Sequence, residues 1–217
     1  MPGIRTTVSE RSVRMPGFVY LASQSPRRAQ LLDQLGIAHA PLLPAPDEDA
    51  EALEAIDGHE TPAHYVQRVT ALKLDAALAR LAQRSLDLAP VLCADTTVAI
   101  GNRILGKPAD AHDARRMLQL LSGTTHEVHT AVAIQHGRRA EKREAILSTS
   151  RVRFAAWTDT QIDAYVAGGE PMGKAGAYAV QGRAAAFIEH MEGSYSGIMG
   201  LPMYETAHLL RCAGFKL

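Results

Sequence analysis

The chain has 217 residues, of which 47% are hydrophobic and 21% charged, as is ordinary for a soluble globular protein large enough to bury a core. Its 23 basic residues balance 23 acidic residues, so the formal net charge is zero. This balance argues against a general nucleic-acid binder, because such proteins carry a basic excess or stripe. No stretch of about 18 apolar residues occurs, so we expect no membrane-spanning segment.

The N-terminal segment and the two cysteines indicate the compartment. Residues 1–17 lack the apolar core of a secretory signal, and we expect them to be a disordered tail before a single domain at 18–217. Met15 lies three residues before the first predicted strand, and we hypothesise that it is the native start. Cys93 and Cys212 have no metal-site spacing, so both are predicted to be buried free thiols, which fits a reducing cytoplasm.

The first ordered segment is predicted to be a strand followed by a helix. Residues 18–21 are apolar and β-prone, which is typical of a buried strand. Ser25 is a natural N-cap and Pro26 a natural first helical residue, so we expect a helix over 27–35. Gly36 should end it.

Two arginines stand in the first turn of this helix. Arg27 and Arg28 occupy the end at which the helix dipole disfavours cations, by roughly 0.3–1 kcal/mol each. Together with the hydroxyl groups of Ser23 and Ser25 and the open backbone amides, they could bind an anion with several oxygens, such as phosphate. The alternative is a capped helix whose arginines lie in solvent.

The next segment contains a strand, an acidic loop and a long helix. Residues 38–43 read as the second strand, and the acidic residues of 47–54 are expected to be mostly solvated. Thr61 precedes a proline and should cap a helix over 63–84. Lys73 lies near the edge of the apolar stripe of this helix, where a lysine either extends to water or reaches into a site.

The segment VLCADTTVAI contains the most informative carboxylate. Residues 91–94 look like a central buried strand, and Asp95 interrupts it at its C-terminal end. An ionised carboxylate there is costly unless it is paired or metal-bound, and α/β proteins bind ligands at strand C-termini. The alternative is an Asp that caps a turn through Thr96 or Thr97. Residues 101–102 should form a two-residue hairpin turn.

Two later segments present polar side chains on turns. Lys107 lies in a Gly-Lys-Pro turn after the hairpin. Residues 168–182 include five glycines, so the backbone must turn sharply or approach a ligand closely. Lys174, Tyr178 and Gln181 in this segment suit a base and its phosphates, although a plain glycine-rich loop is the alternative.

The remaining elements follow from periodicity and turn residues. The scattered histidines do not favour a histidine metal site. The predicted elements are a helix over 110–121, strands over 127–135 and 144–154 joined at 136–139, a helix over 158–166, a strand over 184–191, a loop over 193–197 and a helix over 203–212.

These parts together indicate chemistry on a phosphoanhydride. Carboxylates without cysteine or histidine partners favour Mg²⁺ or Mn²⁺, and cations neutralise phosphate charge in a transition state. The pattern lacks GxxxxGK[ST] and a GxGxxG after a strand, which argues against P-loop and dinucleotide folds. Metal-assisted hydrolysis fits, although spacing leaves open which bond breaks. The polar set is Glu48, Asp95, Lys73, Lys107, Lys174, Arg27 and Arg28.

In order, the motifs of the chain are LASQSPRR, CADTTV, GKP, LSGTTHEVHTAVAI, GEPMGKAGAYAVQG and GSYSGIMGLP. In this order they resemble the Maf family of nucleoside triphosphate pyrophosphatases over residues 18–214. The resemblance implies cleavage of a nucleoside triphosphate to the monophosphate and pyrophosphate, with Mg²⁺ or Mn²⁺. It also implies an α/β fold similar to inosine triphosphate pyrophosphatases, with a long mixed sheet, flanking helices and two lobes around a cleft, and a homodimer.

The resemblance also implies roles for individual residues. Asp95 resembles the proton acceptor or metal-associated acid of the family, and we hypothesise that Asp95 and Glu48 hold the metal and orient a water at the α-phosphorus. Lys73, Lys107 and the arginine pair would bind the phosphates. Positions linked to substrate choice are matched by Arg27, Thr96 and Gln181, and other polar cleft positions by Ser23, Arg28, Glu48, Lys73, Lys107 and Lys174.

Within the family, SPRR, DTT and KAGAYAVQG resemble the branch that acts on dTTP and UTP. The alternatives are a pyrophosphatase for 7-methyl-GTP or for purine nucleotides such as ITP, and a non-catalytic nucleotide-binding protein in cell-division control. Gly173 stands where the family usually has Asp, which puts one carboxylate in doubt. The segment 69–73 also departs from the usual pattern, a difference that we attribute to packing.

Overall fold

The computed structural model describes residues 17–46, 48–49, 51–58, 60–136 and 143–217. The predicted tail, apart from Gly17, therefore lies outside the described residues, as do Asp47 of the acidic loop and residues 137–139 of the predicted hairpin connection. Met15 falls in the same undescribed segment.

One mixed sheet of seven described strands organises the fold, in the order β2-β1-β3-β5-β6-β7 with β4 paired to β3. β1 is parallel to β2 and to β3, whereas the pairs β3–β4, β3–β5, β5–β6 and β6–β7 are antiparallel. The strands are β1 Val19–Leu21, β2 His39–Pro41, β3 Val91–Ile100, β4 Arg103–Leu105, β5 Thr125–Gln135, β6 Arg143–Phe154 and β7 Ile188–Glu192.

Six described α-helices flank this sheet, and those over 62–83, 111–121, 159–167 and 203–212 confirm the predicted helices to within two residues. Side-chain caps hold four of the six described N-termini, at Thr61, Asp110, Thr158 and Ser194, and the one at Thr61 confirms the predicted cap. The helices are α1 Pro26–Gln34, α2 Pro62–Gln83, α3 Ala111–Leu121, α4 Asp159–Ala167, α5 Tyr195–Met199 and α6 Met203–Cys212.

The two faces of β3 are covered by different helices, because successive strand residues point to opposite faces. Leu92 and Ala94 pack in a cluster with buried residues of α1 and α6. Val91 and Cys93 pack in a cluster with buried residues of α2. The expected α/β sheet with flanking helices is therefore confirmed, and burial on both faces explains why β3 is apolar outside residues 95–97.

A third apolar cluster lies at the opposite end of the sheet, among α3, α4 and the end of β6. It is rich in aromatic rings, and Trp157 stacks on Phe187 with ring centroids 3.7 Å apart. Phe154 and Tyr178 meet edge to face in the same cluster. The division of the domain into two lobes remains a prediction.

Three expectations about local structure are wrong. Asp95 does not end a strand, because β3 continues to Ile100 and Lys73 neutralises the carboxylate within the sheet. The predicted strand over 184–191 begins only at Ile188, since Arg183–Phe187 forms a 3₁₀ turn. The predicted loop over 193–197 contains the start of the short helix α5, with Ser194 as its N-cap.

Two smaller corrections concern side chains. Ser25 occupies the N-cap position of α1 but makes no side-chain capping bond. Cys93 is buried as expected, whereas Cys212 is exposed in the last turn of α6, where its sulfur lies 3.8 Å from His208 Nε2. Within the described ranges, no helix has the length and apolar character needed to cross a membrane.

Candidate active site

A cleft opens along one edge of β3. On its other edge β3 pairs with β5 from Val91 to Ala99. On the cleft edge it pairs with β1 through Leu92 and with β4 from Val98, and the described chain provides no strand partner for 93–97 in between. The cleft has a volume of about 390 Å³, and its walls include Asp95 and Thr96.

Two carboxylates and two lysines form one end of this cleft, which we call the acidic end: Glu54, Lys73, Asp95 and Lys107. Lys73 Nζ lies 2.6 Å from Asp95 Oδ1 and 2.7 Å from Glu54 Oε1. Lys107 Nζ is 3.3 Å from both oxygens of Glu54. Lys73 therefore reaches from α2 into the site rather than to water.

Opposite charges at the acidic end outweigh the effect of burial. Burial by itself lowers the pKa of Lys73, but contacts with Asp95 and Glu54 raise it overall. Burial likewise raises the pKa of Glu54, but Lys73 and Lys107 bring it below its usual value. Lys73 is thus held as a cation and Glu54 as a carboxylate.

The loop that carries Glu54 is fastened to α2. The hydroxyl group of Tyr65 donates a 3.0 Å hydrogen bond to the Glu54 carbonyl. Arg68 Nη2 donates a 2.9 Å bond to the Ala55 carbonyl, and the same guanidinium is paired with Glu60. Burial and the negative charges of Asp95 and Glu54 raise the pKa of Tyr65 to about 12, so this phenol stays a donor.

Glu48 lines the cleft but has a different partner. Its carboxylate accepts two hydrogen bonds from Arg80, one of them 3.0 Å from Nε, and these bonds are the main cause of its lowered pKa. Arg80 is buried and also donates to the Leu42 carbonyl. Among the described residues, the carboxylate that shares a lysine with Asp95 is therefore Glu54.

The sequence gives no signal that distinguishes Glu54 from the other acids of its loop. Five acidic residues fall within 47–54, and spacing in a loop does not fix where a side chain points. Tyr65 and Arg68 on α2 hold the backbone of this loop. Lys73 and Lys107 hold the carboxylate and set its direction.

The two arginines of α1 turn toward α5 and the cleft rather than toward solvent. Arg28 donates to the Gly200 carbonyl at 2.7 Å, to Ser23 Oγ at 3.0 Å and to Thr96 Oγ1 at 3.4 Å. Arg27 Nε donates to the Met199 carbonyl at 3.2 Å. Burial, and then the positive charge of the neighbouring Arg28, lower the pKa of Arg27.

The glycine-rich segment supplies one more cation to the wall. Lys174 lines the cleft and donates to the Glu170 carbonyl at 2.5 Å, and burial followed by the charge of Arg27 lowers its pKa. Gly173 is also in the wall, with φ +71°. Gln181 is exposed and is not among the residues lining the cleft, so its predicted contact with the substrate is not visible here.

The other end of the cleft is mostly apolar, and we call it the apolar end. It would accept a flat ring such as a nucleobase. Behind it, the Tyr178 hydroxyl lies 2.8 Å from Nε2 of the buried His126, whose pKa burial lowers to about 4. The apolar end is formed by Val98, Val128, Tyr178, Val180, Ile198 and Met199.

The oxygen donors at the acidic end fit a hard divalent cation. No group of three or more His, Cys, Asp and Glu residues that could hold a metal is found in the described parts of the chain. Mg²⁺, however, is commonly held by one or two carboxylates together with substrate phosphates and water. Asp95 and Glu54, brought together on one lysine, match that requirement.

Comparison with known proteins found a matching family and similar sequences. Residues 18–213 match the family described as Maf-like protein. A dTTP/UTP pyrophosphatase of Albidiferax ferrireducens is 66% identical over 203 residues, which cover 94% of this chain and 100% of that protein. A dTTP/UTP pyrophosphatase of Polaromonas sp. is 66% identical over 200 residues, which cover 92% of this chain and 98% of that protein.

Among solved structures, a HAM1 protein from Coxiella burnetii is similar to this chain with a TM-score of 0.47 and 15% identity. The similarity covers 89% of this chain and 98% of that one.

Proposed function

The chain belongs to the Maf-like protein family, and on that premise we propose that it is a nucleoside triphosphate pyrophosphatase that hydrolyses dTTP and UTP to the monophosphate and pyrophosphate. The observation that carries the proposal is the acidic end, where Lys73 joins Asp95 to Glu54 at the open edge of β3. Relatives that are 66% identical over nearly the whole chain are named dTTP/UTP pyrophosphatases, which supports the choice of nucleotide.

Hydrolysis at the α-phosphorus requires a base, a held nucleophile and neutralised phosphates. Asp95 accepts the proton of the attacking water, and the contact with Lys73 orients this carboxylate. A divalent cation, Mg²⁺ or Mn²⁺, bound by Asp95 and Glu54 would make water more acidic and neutralise phosphate charge. The competing second ligand is Glu48, which would have to leave Arg80 to reach the cation.

The cations of the wall bind the triphosphate. Arg27 and Arg28 carry planar donors that match phosphate oxygens, and Lys107 and Lys174 add charge from two other segments. Since these cations would hold the phosphates, the apolar end receives the base. Ser23 supports the arrangement by accepting a hydrogen bond from Arg28.

The homodimer and the cytoplasmic location that the resemblance implies are part of the proposal. Sedimentation of the purified chain would measure the oligomeric state, and we expect a mass of about two chains.

A nucleotide panel tests the activity. Turnover is measured with Mg²⁺ or Mn²⁺ on dTTP, UTP, CTP, ITP and 7-methyl-GTP, with pyrophosphate and orthophosphate assayed separately. We expect release of pyrophosphate, at the highest rate with dTTP or UTP. A chelator should abolish turnover, and added Mg²⁺ should restore it.

The same panel separates the alternatives. A preference for 7-methyl-GTP or ITP would keep the reaction but overturn the choice of nucleotide. Tight nucleotide binding without any turnover would contradict an enzyme and favour a binding protein.

A further inference from the structure

A buried threonine behind the cleft is joined to the cleft wall by its hydroxyl group. Thr130 lies on β5, is 1% exposed and does not line the cleft. Its Oγ1 lies 2.8 Å from the Gly197 carbonyl of α5 and 2.9 Å from Thr96 Oγ1 on β3. Thr96 does line the cleft, so Thr130 acts on the ligand only through this neighbour.

The direction of these hydrogen bonds follows from the number of protons. A carbonyl oxygen only accepts, so Thr130 must donate its single hydroxyl proton to Gly197. The contact between the two threonines can in principle run either way, but with that proton in use Thr96 is the donor and Thr130 the acceptor. The opposite direction would leave two acceptors, Thr130 Oγ1 and the Gly197 oxygen, facing each other in a buried place.

Thr96 therefore presents only lone pairs to the cleft. Arg28 Nη2 approaches its oxygen at 3.4 Å, which leaves a second acceptor position for a ligand. Thr96 shares a face of β3 with Val98, and the pair Val98–Val128 lies next to the pair Thr96–Thr130 across the strands. Because Val98 and Val128 line the apolar end, the acceptor lies beside the proposed place of the base.

We propose that Thr130 is a positioning residue for base selection: it fixes the Thr96 hydroxyl as an acceptor for the imide N–H of uracil or thymine. Uracil and thymine carry a proton on this ring nitrogen, whereas cytosine has a lone pair there. An acceptor that cannot rotate into a donor rejects cytosine, since two acceptors would face each other. The inference rests on the proposed function and adds Thr130, which sets the direction of the hydrogen bond at Thr96.

Thr130 also fastens α5 to the sheet, so a structural effect has to be separated from a selective one. A loosened α5 would disturb Arg27 and Arg28, which donate to carbonyls at its C-terminal end, and would slow all nucleotides alike. The quantity that isolates the selective role is the ratio of kcat/KM for UTP to that for CTP.

The test compares this ratio in the wild type, Thr130→Val and Thr130→Ser. Thr130→Val keeps the shape but frees the Thr96 hydroxyl to donate, so we expect the ratio to fall about ten-fold. Thr130→Ser keeps the hydroxyl and should retain the ratio. Thr70→Val is the matched control, because Thr70 is equally buried but its hydroxyl group donates to the Val66 carbonyl rather than contacting Thr96.

A second measurement needs no variant and covers the case in which Thr130→Val does not fold. The wild type is assayed with UTP and with its N3-methyl derivative, and kcat/KM should fall at least about ten-fold with the derivative. Equal kcat/KM for UTP and its N3-methyl derivative would overturn the inference. So would an unchanged UTP-to-CTP ratio in folded Thr130→Val, which means an equal loss with both nucleotides. Failure to release pyrophosphate from any nucleotide would instead overturn the proposed function.

Discussion

Lys73 is the residue on which the electrostatics of the cleft depend. It is only 20% exposed, and an isolated ammonium there would favour its neutral form. Two carboxylates reverse that tendency, so the cluster retains one cation between two anions before any ligand arrives. A group that arrives with positive charge can therefore compete for Asp95 and Glu54, while the surrounding arginines and lysines attract a triphosphate.

Asp95→Asn should abolish turnover and leave the fold intact. The amide cannot accept the proton of water, and the general-base contribution alone is worth about 10²–10⁴ in rate. Lys73 keeps Glu54 as a partner in this variant, so thermal unfolding should change little. Near-full kcat for the variant would refute the role of Asp95.

Glu54→Gln and Glu48→Gln distinguish the two candidates for the second acid. We expect Glu54→Gln to lower kcat by about 10²-fold or more and to raise the Mg²⁺ concentration needed for half-maximal rate. Glu48→Gln should mainly lower stability, because it leaves the buried Arg80 without its ion pair. The reverse ranking of the two kcat values would restore the sequence-based assignment of Glu48 as the ligand.

At the scale of elements, the cleft depends on a close approach between the glycine-rich segment and β3. Gly176 has φ +68°, and a Cβ there would lie 2.8 Å from Val98 Cγ1. Its N–H donates to the Gly106 carbonyl, in the turn that carries Lys107. This glycine thus brings two walls of the cleft together.

Gly176→Ala is expected to destabilise the protein more than Gly169→Ala. Both alanines would occupy the left-handed region, at about 1–2 kcal/mol each, but only the first also overlaps Val98, which adds about 1–3 kcal/mol. Gly169 has φ +75° and nothing within 4 Å of an added Cβ, so it is the matched control. Denaturant unfolding measures the stability of both variants. Equal losses of unfolding free energy would mean that the contact with Val98 is easily relaxed.

Secondary structure was predictable where local signals agree. The capping box at Thr158 and the positive φ of Gly101 in the two-residue turn mark boundaries that follow from local chemistry. The prediction that the strand ends at Asp95 was wrong because Lys73, 22 positions earlier in the chain, neutralises the carboxylate. The short apolar run 184–187 fits a strand or a helical turn equally well, so periodicity could not decide it.

At the scale of the whole molecule, a buried histidine makes stability depend on pH. His126 is 1% exposed and its Nδ1 has no hydrogen-bond partner in the structure. Its pKa is lowered to about 4 by burial, whereas an unfolded histidine titrates near pH 6.5. The unfolded chain therefore binds the proton first, and stability falls as the pH is lowered from about 6.5 to about 4.

The free energy of unfolding is expected to fall by about 3 kcal/mol between pH 6.5 and pH 4, and His126→Gln should remove most of this fall. The free energy of unfolding is measured at several pH values in the wild type and the variant. His64→Gln, at an exposed position, should keep the wild-type slope. Equal slopes for wild type and His126→Gln would show that His126 does not contribute. The lowered pKa values of Glu48 and Glu54 add a further loss of stability as the pH falls below their usual value of about 4.5.

The candidate site was predictable in its residue types more than in its geometry. The sequence pattern singled out Asp95, Lys73 and the two arginines, and the fold brings them to one cleft from three separate elements. It missed Glu54, because contacts with two lysines from other segments, rather than spacing, direct this side chain inward. It also expected Gln181 to face the substrate, although in this segment Tyr178 and Val180 line the cleft instead.

Hydrolysis of dTTP in ¹⁸O-labelled water tests the central claim most directly. If water attacks the α-phosphorus, mass spectrometry will find the label in dTMP and none in pyrophosphate. Label in pyrophosphate would mean attack at the β-phosphorus, and labelled orthophosphate with dTDP would mean cleavage of the terminal bond. Either of those results would contradict the proposed reaction.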